Sequence, residues 1–285
     1  MPLVTIKQIL EDARAKAYGI PCFLGGSLEM IIGAVRAAEQ VRAPLILCFN
    51  SAITPDVPME IGMPLLVDAA TRSKVPVATT LDHGTDFDSC IRAIRLGSSS
   101  IMFDGSLLPF DDNVRITREL RNVARPLGVA LEAELGRIGG SVLEFGLTGA
   151  AESNFTDPEQ AVMFYERTDV DVLAVSFGNV HGRYCGDNRL DLERVRTLHR
   201  RLPIPLVMHG GSGLADDVYP EIIAAGISKI NYYTAIARRA ALEIAAVCAS
   251  EGGDIIQHTL IAHTIRFYQR ECRRILILFK SAGKA

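Results

Sequence analysis

Eight short apolar runs recur along the chain, each followed by Gly, Asp or Ser and then by a segment of helical period. They are IPCFL (20–24), PLILCF (44–49), VPVATTLD (75–82), SSIMFD (99–104), VALEAEL (129–135), VDVLAVSF (170–177), IPLVMH (204–209) and ISKINY (227–232). Their apolarity is near-continuous rather than alternating, which is what parallel strands covered by an outer layer of helices require. Eight such strand–helix units close a barrel. The expected fold is therefore α/β, a single (β/α)8 TIM barrel domain spanning 1–285 with no internal linker. A helix over 5–16 is expected to cap the barrel floor, and the stretch from about 235 to 280 supplies extra C-terminal helices.

Length leaves the choice open, since 285 residues fit two small domains or one barrel; the strand–helix rhythm decides it. A net charge of −3 with both signs interspersed offers no basic face, which argues against nucleic acid as a partner. The first twenty residues carry acids and no signal-like apolar stretch, and no later run reaches the roughly 18 apolar residues of a membrane span. A cytoplasmic protein without a membrane partner is expected. Six cysteines without a C-x-x-C pair read as reduced, mostly buried thiols.

Three of the six histidines share one context, an apolar strand end with glycine immediately after: His83-Gly84, His181-Gly182 and His209-Gly210. Strand ends of a parallel barrel converge on one mouth, so three imidazoles there can meet around one ion, and three His with an open position is a catalytic zinc pattern. The other three, His199, His258 and His263, fall on predicted helices and read as surface or packing residues. Acids gather at the same rim: Asp82, Asp104, Glu132 and Glu134. Burying four carboxylates is costly without cations or hydrogen bonds, and a structural ion pair accounts for one of them, not all. Alternation puts Glu132 and Glu134 on the same, inward face. Asp82, beside His83, is the expected general acid/base. The long, Gly-rich connection over 136–156 is expected to be a mobile active-site loop.

The last two strands end in His209-Gly210-Gly211-Ser212-Gly213 and Lys229-Ile230-Asn231-Tyr232-Tyr233-Thr234, each before a helix. A Gly/Ser loop and a helix N-terminus present backbone N–H donors to a phosphate, and loops seven and eight are where barrels place one.

Taken together, L-D-H-G, S-x-M-x-D-x-S, E-A-E-L-G-x-x-G-G, G-x-x-H-G-x-Y, L-V-x-H-G-x-S-G and K-I-N-x-x-T, in this order from Leu3 to about Ala240, resemble class II ketose-bisphosphate aldolases, the group with fructose- and tagatose-1,6-bisphosphate members. The resemblance implies Zn2+ on His83, His181 and His209, with Asp104 and Glu134 as a second or alternative metal position and Asp82 as acid/base. It also implies that Gly182, Gly210, Gly211, Ser212, Asn231 and Thr234 hold the phosphate and hydroxyls of dihydroxyacetone phosphate, with a monovalent cation (Na+ or K+) nearby. The implied activity is cleavage of a small phosphorylated sugar to dihydroxyacetone phosphate and an aldehyde, in a homodimer or homotetramer.

Three departures stand out. The acids usual after E-L-G-x-x-G-G are replaced by Ser141-Val142-Leu143, leaving Glu144 or Glu152 as the possible loop proton carrier. The family's Phe-Asn at the first strand end is Phe23-Leu24, and Tyr233, beside Tyr232, precedes the final Thr. These changes point away from a standard fructose-bisphosphate substrate and toward a tagatose-type, deoxy-sugar or sugar-acid one. Arg266, Arg270, Arg273 and Arg274 on the last helix are candidates for a second phosphate, with a solvated helix face the better reading. The alternative function is a non-catalytic or regulatory partner subunit that keeps the metal site; a metal-dependent barrel hydrolase or isomerase fits the motif order less well.

Overall fold

The apolar runs form eight parallel strands that close on themselves: β1 (Ile20–Leu24), β2 (Leu45–Phe49), β3 (Val77–Gly84), β4 (Ser100–Phe103), β5 (Ala130–Leu135), β6 (Val172–Val175), β7 (Leu206–Met208) and β8 (Ile227–Asn231). This is a computed structural model, and it describes residues 3–140, 147–148, 154–184, 189–250, 252 and 254–285. Each strand pairs with the next in sequence, and β8 pairs back onto β1 with Lys229 opposite Ile20 and Asn231 opposite Cys22. The barrel is thus complete, with every strand in parallel register. Leu3–Val4 adds a short parallel strand beside the start of β3.

The outer layer consists of α2 (Leu28–Val41), α3 (Met59–Arg72), α4 (Phe87–Arg95), α5 (Phe110–Ala124), α6 (Pro158–Thr168), α7 (Leu192–Arg201) and α8 (Val218–Ala225), following α1 (Ile6–Lys16). Their starts are written in the sequence: Ser27, Asp86, Asp157 and Asp191 each accept a first-turn N–H at the N-cap. Thr5 and Gln8 close a reciprocal capping box on α1.

Two apolar cores result. One lies between strands and helices and contains Phe49, Phe103, Phe164 and Phe177. The other fills the barrel, where Ile20, Ile46, Ala78, Met102, Val172 and Val207 meet Ile6, Leu10 and Ala13 of α1. The α1 helix plugs the N-terminal end, and its Ile6 N–H donates to Ser100 Oγ at 2.9 Å. The extra helices α9 (Thr234–Ser250) and α10 (Gln257–Leu278) follow β8. A Cβ on Gly33 of α2 would come within 2.5 Å of Tyr268 Cβ, so α10 lies unusually close along α2.

The strand limits differ from the sequence expectation in two places that matter for the site. β3 runs past Asp82 to Gly84, carrying His83 on the strand itself. β6 stops at Val175, so His181 does not end a strand but sits six residues further on a loop. Gly178 there has φ +107°, and the Asn179 side chain accepts from Phe177 N–H at 2.9 Å, turning the chain out of the sheet.

Candidate metal centre and active site

Three imidazoles converge at the C-terminal mouth. His83 comes from the end of β3, His209 directly follows β7, and His181 is brought over by its loop, whose Val180 bridges to Gly139 while His181 N–H donates to Gly139 O at 2.8 Å. Ring centroids are 5.0 Å apart for His83–His181, 4.6 Å for His83–His209 and 5.9 Å for His181–His209. His83 holds φ +50°, a left-handed conformation that non-glycine residues rarely adopt and that tends to occur where a side chain must be aimed.

His83 and His209 are oriented from behind. His83 Nδ1 lies 2.7 Å from Asp104 Oδ2, which turns its Nε2 toward His209 Nδ1 at 2.9 Å. His209 Nε2 lies 2.8 Å from Glu132 Oε1, and Glu132 Oε2 accepts from Lys229 Nζ at 2.6 Å, all three side chains being fully buried. The ion pair anticipated for one of the four rim acids is therefore Glu132–Lys229. It crosses the barrel interior beneath the imidazoles, and the charge of Glu132 holds the Lys229 ammonium pKa above its usual value against the opposing pull of burial.

Asp82 points into the same space. Its two oxygens accept from Asn50 Nδ2 at 3.0 Å and from Asn231 Nδ2 at 2.9 Å. Burial alone would raise this carboxyl, but His83, His209, Lys229 and the Asn50 amide outweigh it and hold the pKa below the ordinary value, so the group is ionised near neutrality. Burial likewise opposes protonation of His83, yet Asp82, Asp104 and Glu134 push its pKa up to about 10. His181 moves the other way, down to about 3, through burial and the neighbouring imidazoles. Glu134 is pushed up to about 8 by burial and by Asp104.

This cluster demands positive charge. Among the described residues two groups have ligand atoms lying mutually within 4.8 Å, His83–His181–His209 and His83–Asp104–Glu134, with His83 common to both. Among the described residues Glu134 Oε2 is buried without a hydrogen-bond partner, an oxygen left open for a ligand to complete. Imidazole and carboxylate donors with an orphaned oxygen suit a divalent transition metal.

Beside the imidazoles, a cavity of about 430 Å³ is lined by Asp82, Gly182, Gly210, Ser212, Asn231 and Thr234. Gly210 has φ +65°, and a Cβ there would sit 2.0 Å from Val180 O, so only glycine fits. Its carbonyl accepts from Tyr184 Oη at 2.9 Å. Gly211 behaves differently from its neighbours: its N–H donates to Asn231 O at 3.0 Å and its carbonyl accepts from Tyr219 Oη at 2.8 Å. It ties loop seven to β8 rather than lining the cavity. Among the described residues Asn231 Oδ1 is the other buried side-chain oxygen without a partner.

Leu24 and Tyr233 line this cavity together with Cys22, Cys48 and Ile53, so the wall toward β1 and β2 is apolar where the resemblance implied an amide. Tyr232 is buried and packs toward Tyr219 and Phe279. Glu144, Glu152 and Ser141-Val142-Leu143 lie outside the described residues. Of the last-helix arginines, Arg270 pairs with Glu243 and Arg274 with Asp216. His199 Nδ1 packs 3.0 Å from Arg14 on the outer layer, and His258 and His263 sit on α10.

Sequence reasoning passed over Lys229 and Asn50. A signal for Lys229 was present: in ISKIN, the inward assignment of Asn231 puts Lys229, two residues earlier, on the same face. Asn50 carries no such mark, since it simply follows β2.

Residues 4–284 match the family model for fructose-bisphosphate aldolase class-II. The chain belongs to this class II aldolase family, whose members are metal-dependent carbon–carbon lyases acting on small phosphorylated sugars. It is 36% identical to the Escherichia coli K12 protein YdjI over 243 residues, 85% of this chain and 86% of that one. The crystal structure of the YdjI aldolase superposes with a TM-score of 0.87 at 33% identity, covering 99% of each chain. Similarity also extends to the sulfofructosephosphate aldolase of Alkalicoccus urumqiensis, 36% identical over 82% of this chain and 81% of that one. The 6-phospho-5-dehydro-2-deoxy-D-gluconate aldolase of Halalkalibacterium halodurans is 35% identical over 82% and 81%.

Proposed function

We propose that the protein is a zinc-dependent aldolase that reversibly cleaves a ketose 1-phosphate or 1,6-bisphosphate to dihydroxyacetone phosphate and an aldehyde. The observation that carries this reading is the placement of an ionised Asp82, clamped by two amides, against the three imidazoles at one mouth. His83, His181 and His209 would hold the metal, with Asp104 and Glu134 offering the alternative position through the shared His83. When bound, the metal supplies Lewis acidity toward the ketone oxygen.

The chain's own residues do the rest. Gly182, Gly210, Ser212 and Thr234 receive the phosphate end of the donor half, while Gly211 fixes the turn that shapes this cradle. Asn231 Oδ1, buried and unpaired, is placed to accept from a substrate hydroxyl. Asp82 takes the C4 hydroxyl proton as the C3–C4 bond breaks, the C4–O bond becomes the aldehyde carbonyl, and the electron pair stays with the C1–C3 fragment. A proton delivered to C3 completes dihydroxyacetone phosphate; Glu144 is the proposed loop carrier. A monovalent cation, Na+ or K+, is proposed beside the phosphate by family resemblance.

Fructose 1,6-bisphosphate is not the substrate the cavity favours, because the apolar wall of Leu24, Cys48 and Ile53 removes polar contacts along one side; relatives are named both for that sugar and for other sugar phosphates. We read 1–285 as one barrel domain, and a homodimer or homotetramer is supported by the exposed apolar side chains of the C-terminal helices, Leu242 (69%) and Ile277 (47%) among them. No described helix is long and apolar enough to cross a membrane; a cytoplasmic location is proposed on the sequence alone. The test is a panel of ketose 1-phosphates and 1,6-bisphosphates, with released dihydroxyacetone phosphate coupled to NADH oxidation before and after chelation. Chelator-sensitive turnover of one member is expected. Zinc binding without release from any member favours the partner-subunit alternative instead.

A further inference from the structure

A second, larger space of about 790 Å³ opens from the imidazoles to solvent, with His83, His181, Asp104 and Glu134 at its inner end and Asn50, Thr85 and Ser106 along its sides. Among the described residues neither a lysine nor an arginine lines the first cavity, and the second has one, Arg137. Its backbone is fixed on the loop after β5. Gly136 turns there with φ +82°, Arg137 N–H donates to Asn154 O at 2.7 Å, and Arg137 O accepts from Ser176 Oγ at 3.0 Å.

The guanidinium itself is uncommitted. Among the described residues it makes no hydrogen bond or ion pair, although Asp104 and Glu134 line the same space. Arg92, Arg115, Arg167 and Arg201 on the outer helices are by contrast each paired with a carboxylate, while others there, such as Arg36, Arg95 and Arg118, face solvent away from any site. A fixed backbone and an unpaired planar fork of donors on the wall of this space make a receptor for an anion. With the inner end taken up by the metal cluster, an anionic group further out in this space is received at Arg137, where carboxylate, sulfonate or phosphate oxygens can accept two parallel N–H bonds.

We propose that the aldehyde half of the substrate carries an anionic terminal group and that Arg137 binds it, making Arg137 the residue that sets specificity at the end remote from the donor phosphate. This rests on the aldolase reading above. Carboxylate, sulfonate and phosphate share the required chemistry, and acceptors of equal carbon number distinguish them.

The experiment runs the reaction in the condensation direction, with metal-loaded protein, dihydroxyacetone phosphate and four three-carbon acceptors: glyceraldehyde, glyceraldehyde 3-phosphate, sulfolactaldehyde and tartronate semialdehyde. One anionic acceptor is expected to exceed glyceraldehyde in kcat/KM, naming the anion. In Arg137→Gln that anion-to-neutral ratio should fall by about 10- to 100-fold, chiefly through KM, as loss of a charge-assisted pair predicts, and Arg137→Lys should restore part of it. A wild-type enzyme indifferent to acceptor charge, or a ratio that survives Arg137→Gln, overturns the proposal. Calorimetric titration of the unreactive 3-phosphoglycerate, sulfolactate and tartronate into both proteins separates the two readings. Binding lost in Arg137→Gln without condensation of any acceptor sinks the aldolase and leaves the anion site. Condensation without Arg137-dependent binding does the reverse.

Discussion

The two rims of the barrel handle charge in opposite ways. At the N-terminal rim Asp171 is closed off: it pairs with Arg121 and Lys7, each at 3.0 Å, and accepts from Leu131 N–H. Below and around it the interior is aliphatic and sealed by α1. At the C-terminal rim Asp82, Asp104, Glu134 and three imidazoles crowd together, and two buried oxygens, Glu134 Oε2 and Asn231 Oδ1, are left open. Both rims are built from the same strands, so the difference is one of satisfaction. A rim whose polar atoms are all paired stabilises the fold, whereas a rim that leaves them unpaired is complementary to something that must arrive.

Substitutions can break that contrast. The largest effect is expected for Asp82→Asn, which removes the proposed base but keeps the shape: cleavage should fall by about 10²- to 10⁴-fold, with a thermal midpoint close to that of the parent. A comparable loss of activity and of folded structure together would show Asp82 to be structural. Lys229→Met should strand the Glu132 charge in the interior and cost about 3–5 kcal/mol in denaturant unfolding, while Lys229→Met with Glu132→Gln should recover much of it. If the double variant is no better than the single, the pair is not what balances the charge.

At the floor, Leu10→Ala should cost about 2–5 kcal/mol yet leave KM for the sugar phosphate unchanged, since α1 touches only the sealed end. A shifted KM would mean that the two rims are coupled. The smallest effect belongs to Asn50→Ala. Removing one of the two amides on Asp82 is worth about 1.5–3 kcal/mol for a hydrogen bond to a charged group, and should appear in kcat more than in KM. An unchanged kcat would mean that Asn231 alone positions the carboxylate.

The sequence makes some of this legible and hides the rest for physical reasons. Strands buried on both faces must be apolar throughout, so all eight could be read, as could the capped helix that fills the floor. Where a run of apolar residues leaves the sheet is set by a local turn, and in VDVLAVSF neither Ser176 nor Phe177 announces that Gly178 has already redirected the chain. His181 was therefore placed on a strand end when a loop carries it. Glu132 and Lys229 are 97 residues apart, and their meeting depends on how the barrel closes. Arg137, among the described residues the one arginine or lysine lining either cavity, reads in the sequence as just another loop arginine.

Gly210 shows how little room lies between two of these functions. Its absent side chain is the clearance for Val180 O, and Val180 is the residue immediately before His181. Any side chain at 210 must displace the segment that delivers an imidazole to the trio, so Gly210→Ala would register as a defect in metal affinity before any defect in phosphate affinity could be measured. The proposed anion cradle and the proposed metal cluster cannot drift apart one substitution at a time; they constitute a single heritable unit.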